Sequence, residues 1–271
     1  LPALLKKLRS PVEKAVEILL RMRQNSHAQE APEFLSGTKT QDFRTLGRSG
    51  KIQSKVICMF TCKVPDEAGI RRLTKIEHHL FDGVSLSKER IREIHEFCPE
   101  MFCVIENEDA NIVGYSTIFT MAPEQALHFI SGSISEPDLS PELLITPSDD
   151  NFSKTHAYIG SVVVTGDFNV ITRSVLLSSL LSWRMTQMTR LALRRLPVFM
   201  IAASENGSQL IRFVGARILK EAAEREDGAP VYGRTITPSF MNRANKALQR
   251  CLSSGFVKMD YSGCSRSCAD S

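Results

Sequence analysis

A strand that runs straight into a long helix is the dominant pattern of this sequence. His156-Ala-Tyr-Ile-Gly-Ser-Val-Val-Val164 is rich in β-branched residues, which suit a pleated, buried surface. From about Val170 to Arg195 the spacing turns helical, with Leu176, Leu177, Leu180 and Leu181 on the side to be buried. A strand of this kind needs neighbours to pair with, and so long a helix needs a sheet face to cover.

The flanking sequence supplies both. Val56-Ile-Cys-Met-Phe-Thr-Cys62 is a strand candidate. Pro65-Asp-Glu opens a helix that carries Ile70, Leu73, Ile76 and Leu80 on one side, and Ser87 caps a second that runs through Phe97. The runs 101–106 and 112–119 form a hairpin across the polar turn Asn107-Glu-Asp-Ala-Asn111. A helix at 123–130 leads into a polar, proline-containing stretch that ends at Lys154. After the long helix come a strand at 198–203, a short helix at 209–214 ended by Gly215, and strands at 217–220 and 231–236. A short helix near 242–252 and a Ser/Gly/Cys end without a core signal complete the chain.

The pattern therefore divides into a basic amphipathic helix over 1–25, a polar linker over 26–54, a main domain over 55–237, and a C-terminal helix and tail over 238–271. Pro11 interrupts the first helix and Ser10 restarts it as an N-cap. Its basic, apolar-faced character fits a membrane surface or a partner chain, or packing on the main domain. With 42% hydrophobic residues in 271, there is ample material for one full core.

Net charge is only +4 and no Lys/Arg run is long enough to follow a phosphate backbone, which argues against nucleic acid. No apolar run reaches the ~18 residues of a membrane helix. The seven cysteines read as reduced thiols of a cytoplasmic protein. Cys58-x3-Cys62 and Cys264-x3-Cys268 have the wrong spacing for zinc and no nearby histidine, so no metal site is expected.

Three stretches carry a resemblance. One is the hairpin 102–116, in which the polar turn is followed by Ile112-Val-Gly-Tyr. Another is Val162-Val-Val-Thr-Gly-Asp-Phe168 with the helix after it. The third is Ser204-Glu-Asn-Gly-Ser-Gln-Leu-Ile-Arg-Phe-Val-Gly-Ala216, whose Ser204, Gly207, Leu210, Ile211, Val214, Gly215 and Ala216 fall at the spacing Asn-x-x-Ala-x-x-Leu-Tyr-x-x-Leu-Gly-Phe. In element order and in these stretches, 55–237 resembles the GNAT superfamily of acetyl-CoA-dependent N-acyltransferases.

The resemblance implies an α+β fold: a mixed, mostly antiparallel central sheet flanked by helices, here with an N-terminal helical extension. It implies that the strand ending at Val164 splays from its neighbour and offers bare amides to pantetheine. The loop and helix start after it would receive the pyrophosphate through unpaired N–H groups and a positive dipole end. The positions so implied for acetyl-CoA are Val162, Val163, Val164, Asn169, Val170, Ile171, Thr172, Arg173, Ser174, Ser204 and Gly207.

The sequence departs from the family's Arg/Gln-x-x-Gly-x-Gly/Ala loop. Asn169-Val-Ile-Thr-Arg-Ser174 has no glycine in either register considered. Arg173 and the Thr172 and Ser174 hydroxyls are the substitutes at hand. Ile211 stands where many members carry a tyrosine that protonates the departing thiolate, and Ser204 stands for an asparagine.

The implied reaction is direct attack of an amine on the thioester, with Val163 or Val164 N–H stabilising the oxyanion and a base taking the ammonium proton. Candidates for catalysis are Glu77, Tyr158 and Ser204, with the His78-His79 pair beside Glu77. Expected partners are acetyl-CoA, an amine acceptor and a second copy of the chain. The competing reading is a GNAT-like fold without catalysis, kept as a binding or regulatory module.

Overall fold

A computed structural model describes residues 59–81, 85–146, 155–190, 195–202, 207–208, 211–212, 215–240, 242, 244 and 257–264. The amphipathic helix, the linker, Ser204 and most of the expected 242–252 helix lie outside the described residues.

Strand β1 (Phe60–Lys63) is followed by two capped helices. Asp66 accepts from Gly69 N to start α1 (Glu67–Leu80), and Ser87 accepts from Arg90 N to start α2 (Lys88–Phe97). The hairpin strands are β2 (Phe102–Asn107) and β3 (Ile112–Met121). Asn107 Oδ1 accepts from the amides of Asp109 and Asn111, which fixes their turn. Helix α3 (Pro123–Ser131) ends on Gly132 at φ +88°, a left-handed cap.

Strand β4 (His156–Val164) then feeds α4 (Val170–Arg190), as the dominant sequence pattern predicts. The helix was expected to run to Arg195, and the next strand to start at Val198. Instead β5 (Leu196–Ile201) starts at Leu196, because Leu196 is buried and pairs with Ile236. Residues 207–208 and 211–212 are helical, and β6 (Arg217–Lys220) and β7 (Val231–Ile236) follow.

The sheet has eight strands in the order β6-β7-β5-β4-β3-β2-β1-β8. The eighth, β8 (Val257–Asp260), corrects the expectation of an end without a core signal: it pairs parallel with β1, Phe60 opposite Val257. Every other contact is antiparallel except β4 with β5. This is the expected mixed, mostly antiparallel sheet flanked by helices.

Helices α1, α2 and α3 cover one face over Phe102, Val104, Tyr115, Phe119, Tyr158 and Phe199. Helix α4 covers the other, with Leu176, Leu180 and Trp183 on Cys62, Cys103 and Ile105, and Met185 and Met188 on Leu196 and Val198. No helix among the described residues is long and apolar enough to cross a membrane.

Candidate active site

The sheet opens between β4 and β5. Their parallel pairing covers Ala157–Val198, Tyr158–Phe199 and Ile159–Met200, and no further pair follows among the described residues. Yet β4 stays paired to β3 as far as Val164, and β5 stays paired to β7 as far as Ile201. Each strand keeps its outer partner while the two part from each other, which makes a wedge. Gly160–Val164 lines it from one side, and four of those five residues are half-buried.

A bulge sets what β4 presents there. Ser116 opposes Val162 and Ile118 opposes Ile159, so two steps on β3 face three on β4. Gly160 sits in the bulge, where a Cβ would come within 2.6 Å of Thr117 Oγ1. The same Oγ1 accepts from Ser161 N at 2.8 Å, replacing a ladder bond. The extra residue shifts the alternation of faces, so that Ser161 turns toward α1 on the same side as Tyr158.

Past the bulge, Thr165 N donates to Val113 O. By the alternation of a strand's backbone groups, the N–H groups of Val162 and Val164 point away from β3 toward the wedge, and that of Val163 points toward β3.

Below Ser161 lies a carboxylate on an apolar stripe. In α1 the buried positions are Gly69, Ile70, Leu73, Thr74 and Glu77, the last four at i, i+3, i+4 and i+7. Ser161 Oγ donates to Glu77 Oε1 at 3.2 Å, and the side chain is 4% exposed. Burial raises the Glu77 carboxyl above its ordinary range, and the Tyr115 and Ser161 hydroxyls and neighbouring His78 pull it partway back. Glu77 Oε2 and the Tyr115 hydroxyl, both buried, have no aligned hydrogen-bond partner.

Tyr158 is packed in the core, stacked on Phe199 at 5.3 Å and tilted against Phe129 at 4.5 Å. Its hydroxyl donates to Glu136 Oε2 at 2.5 Å. Burial, then the Glu136 charge, pushes the phenol well above its ordinary value. Burial also lifts Glu136 to about 7, with the Tyr158 hydrogen bond opposing and the Glu77 charge adding to the rise. The expected residues Glu77 and Tyr158 are thus in one electrostatic neighbourhood, together with Tyr115, Ser161 and Glu136, which the sequence reading did not select.

Where β4 leaves the sheet, Gly166 takes φ +93°, and the turn delivers the chain to α4. Asn169 Oδ1 accepts from Thr172 N at 2.9 Å and so caps the helix. Val170 and Ile171 form the first turn. Arg173 is exposed and folds back over the turn, donating to Gly166 O at 2.8 Å and Val164 O at 3.3 Å. Ser174 is half-buried. Gly207 is helical, and Ile211 packs against the core on the α4 face.

These residues can do two kinds of work. The bare β4 edge and the α4 start suit an elongated, anionic ligand of amide-rich chemistry, with Arg173 as the cation at its charged end. The buried carboxylates suit proton transfer at the inner end of the wedge.

The sequence matches no protein-family model and no curated protein. Among solved structures, the chain is similar to a mosquito arylalkylamine N-acetyltransferase like 5b, at 12% identity over 65% of this chain and 100% of that one, with a TM-score of 0.44. It is similar to Arabidopsis thaliana NAA60 in complex with acetyl-CoA, at 12% identity over 65% and 98%, TM-score 0.44. A third is the NatC complex bound to Gag peptide and CoA, at 13% identity over 66% and 98%, TM-score 0.45. Likenesses this distant say nothing about chemistry.

Proposed function

We propose that this chain is an N-acetyltransferase that moves an acetyl group from acetyl-CoA to an amine. One observation carries the reading: β4 parts from β5 beyond Ile159, and the wedge so opened runs past Ser161 and its buried partner Glu77.

In this reading Val162 and Val164 hold pantetheine by their outward amides, and the N–H of Val164 steadies the oxyanion; Val163, also expected as a donor, turns its N–H to β3 and does not serve. Asn169, Val170, Ile171, Thr172, Arg173 and Ser174 take the diphosphate, with Arg173 supplying the charge that a glycine-lined cradle would not need. Gly207, and Ser204 outside the described residues, are the remaining positions that this reading assigns to acetyl-CoA. Acetyl-CoA supplies the activated acyl group. The ammonium proton of the acceptor passes to Glu77, the free amine adds to the thioester carbonyl, and the C–S bond breaks. The nitrogen's remaining extra proton leaves with the thiolate as CoA thiol, so amide and thiol are the products. With Ile211 at the tyrosine position, no side chain there can pass that last proton on, and water carries it from the nitrogen to the sulfur. Tyr158, deep in the aromatic core, acts by holding Glu136.

Titrating acetyl-CoA into the purified chain tests this. Binding raises the melting temperature. Arg173→Glu, on an exposed side chain, weakens binding by about tenfold or more while leaving the unliganded melt unchanged. No shift at millimolar acetyl-CoA would sink the proposal.

A second reading, a binding module without catalysis, draws on the α4 start. There Asn169 already occupies the Thr172 amide, and Arg173 is engaged with two carbonyls. A chain that binds acetyl-CoA yet releases no thiol with any of a panel of amines would favour it.

A further inference from the structure

The helical cover of the sheet stops short at one corner. Helix α3 ends at Ser131, with Phe129 tilted against Phe199 at 5.5 Å. Past that contact the same face of β5 and β7 continues as Pro197, Gly233 and Thr235, by the two-residue alternation from Phe199 and Val231. Gly233 has no side chain, and Leu219 of β6 leans over it: a Cβ there would lie 2.3 Å from Leu219 Cδ1. Even so, Leu219 is 47% exposed. The result is an open cavity of about 360 Å³, with Pro197, Phe199, Gly233 and Thr235 as its floor and Ile130 and Leu219 beside them. That volume falls within the range of small-molecule sites.

The polar groups around it carry one sign of charge. His156 opens β4, Arg217 opens β6 and Arg234 comes from β7, and no carboxylate lines the cavity among the described residues. The Arg234 guanidinium is 4.0 Å from the Phe240 ring centroid, and it also lies against Gly215. Arg217 differs: it is exposed, and its guanidinium has no hydrogen-bond or ion-pair partner among the described residues. A planar fork of donors beside an apolar floor suits a carboxylate whose body lies on that floor. The position is distinct from the wedge. The wedge opens beyond Ile159, at the ends of β4 and β5, whereas the cavity sits at their beginnings, by His156 and Pro197. His156 and Ile130 lie on one side of the β4–β5 joint and the other lining residues on the other, so a ligand here touches both.

We propose that this corner is a second ligand site, for a small organic anion: an aromatic or branched apolar body carrying one carboxylate, which pairs with Arg217 while the body covers Pro197 and Phe199. None of these residues is among those assigned to acetyl-CoA, so the site does not depend on the acyltransferase reading. Burial of the body supplies part of the affinity and the guanidinium supplies the selection, so a neutral molecule of the same shape keeps the first and loses the second. A peptide strand added to β6 suits the corner less. The β6 edge is bulged between Ile218 and Lys220 and carries Arg217 and Lys220, and bulges and edge charges both discourage strand pairing.

The test titrates the full chain with sodium benzoate, and with benzamide as its neutral isostere, followed by calorimetry and saturation-transfer NMR. Benzoate binds at millimolar concentration or below, and benzamide about tenfold more weakly or not at all. Arg217→Ala weakens benzoate by about tenfold, and Arg217→Lys recovers part of the loss. Thr235→Phe fills the cavity without changing its charge and abolishes binding. Both side chains are exposed, so the variants keep the fold. Where acetyl-CoA shifts the wild-type melt, it shifts all three variants alike; its loss in Thr235→Phe would mean one shared site and overturn the proposal. Neither heat nor saturation transfer at tens of millimolar benzoate overturns it too, as does benzamide matching benzoate, or benzoate binding unchanged in Arg217→Ala or Thr235→Phe. If the free chain sediments as a dimer that Thr235→Phe makes monomeric, a second copy fills the corner and the proposal falls. The benzoate titration contains no acetyl-CoA, so its outcome leaves the acyltransferase reading where it stood.

Discussion

Glu77 is a single residue out of keeping with its helix. Three of the four buried positions on the α1 stripe are what a sheet-packing helix needs, and the fourth is a glutamate held by one serine hydroxyl. Glu136, which accepts from the Tyr158 hydroxyl, is a second buried carboxyl, lifted to about 7 from an ordinary 4.5. A raised carboxyl means the folded chain keeps a proton that the unfolded chain has released. Its contribution to stability is therefore full below about 4.5 and is lost as pH rises through 7. The loss is about 1–3 kcal/mol, toward the lower end because the side chain keeps some contact with water. Glu136→Gln, which can still accept from Tyr158, removes this dependence. Urea unfolding at pH 5 and pH 8 should show wild type losing more stability over that interval than the variant. Parallel losses would mean that Glu136 is ionised in the folded chain at both values.

Helix α4 shows the same exception at the scale of an element. Arg184 is buried on its sheet-facing side among main-chain and side-chain oxygens. It donates to Glu100 O, Met101 O, Ser116 O, Ser116 Oγ and Gln187 Oε1, and Gln187 donates in turn to Glu100 O. Burial lowers its pKa, but five acceptors hold the charge in place. The clamp joins the helix to β3 and to the turn before β2, behind the strand that lines the wedge. Arg184→Ala should cost about 3–5 kcal/mol, because the carbonyls it satisfies are left buried. The measurement is chemical denaturation, and a loss below about 1 kcal/mol would mean water replaces the guanidinium without penalty. This anchor was not legible in the sequence. The alternation of 156–164 and the leucine spacing of α4 were, since each repeats a local period. The stripe of α1 reads as Ile70, Leu73, Ile76 and Leu80, but Leu80 is exposed and Glu77 takes the buried end instead. Ser161 was not legible, because only the bulge turns it toward α1, although a glycine inside a strand pattern is a bulge signal. Glu136 was not, because nothing local separates an inward carboxylate from an outward one in a polar loop.

At the scale of the molecule, the sheet is two halves joined at three residue pairs, β8-β1-β2-β3-β4 and β5-β7-β6. A joint that short leaves the wedge open, and rigidity must come from elsewhere in each half. In the larger half, part of it comes from the C-terminal segment. Strand β8 has polar Lys258 and Asp260 alternating with Val257 and Met259, too short and too mixed to read as a strand until β1 offers its free edge. Tyr261, just past it, lies flat on Trp183 with centroids 4.3 Å apart and planes at 12°. That stack seals the outer end of the α4 core around Cys62, Cys103 and Leu180. Trp183 is the chain's sole tryptophan and is fully buried, so its emission reports this contact alone. Tyr261→Ala should cost about 1–3 kcal/mol, Tyr261→Phe much less. A chain ending at residue 256 loses the β1 pairing as well, and its tryptophan emission should move to the red as water reaches the ring. The wedge lies three strands from that edge, so folded Tyr261→Ala protein should still respond to acetyl-CoA as wild type does. Unshifted tryptophan emission in the truncated chain would mean that the α4 core closes without β8, and that the segment beyond 256 contributes nothing to the stiffness of the half-sheet behind the wedge.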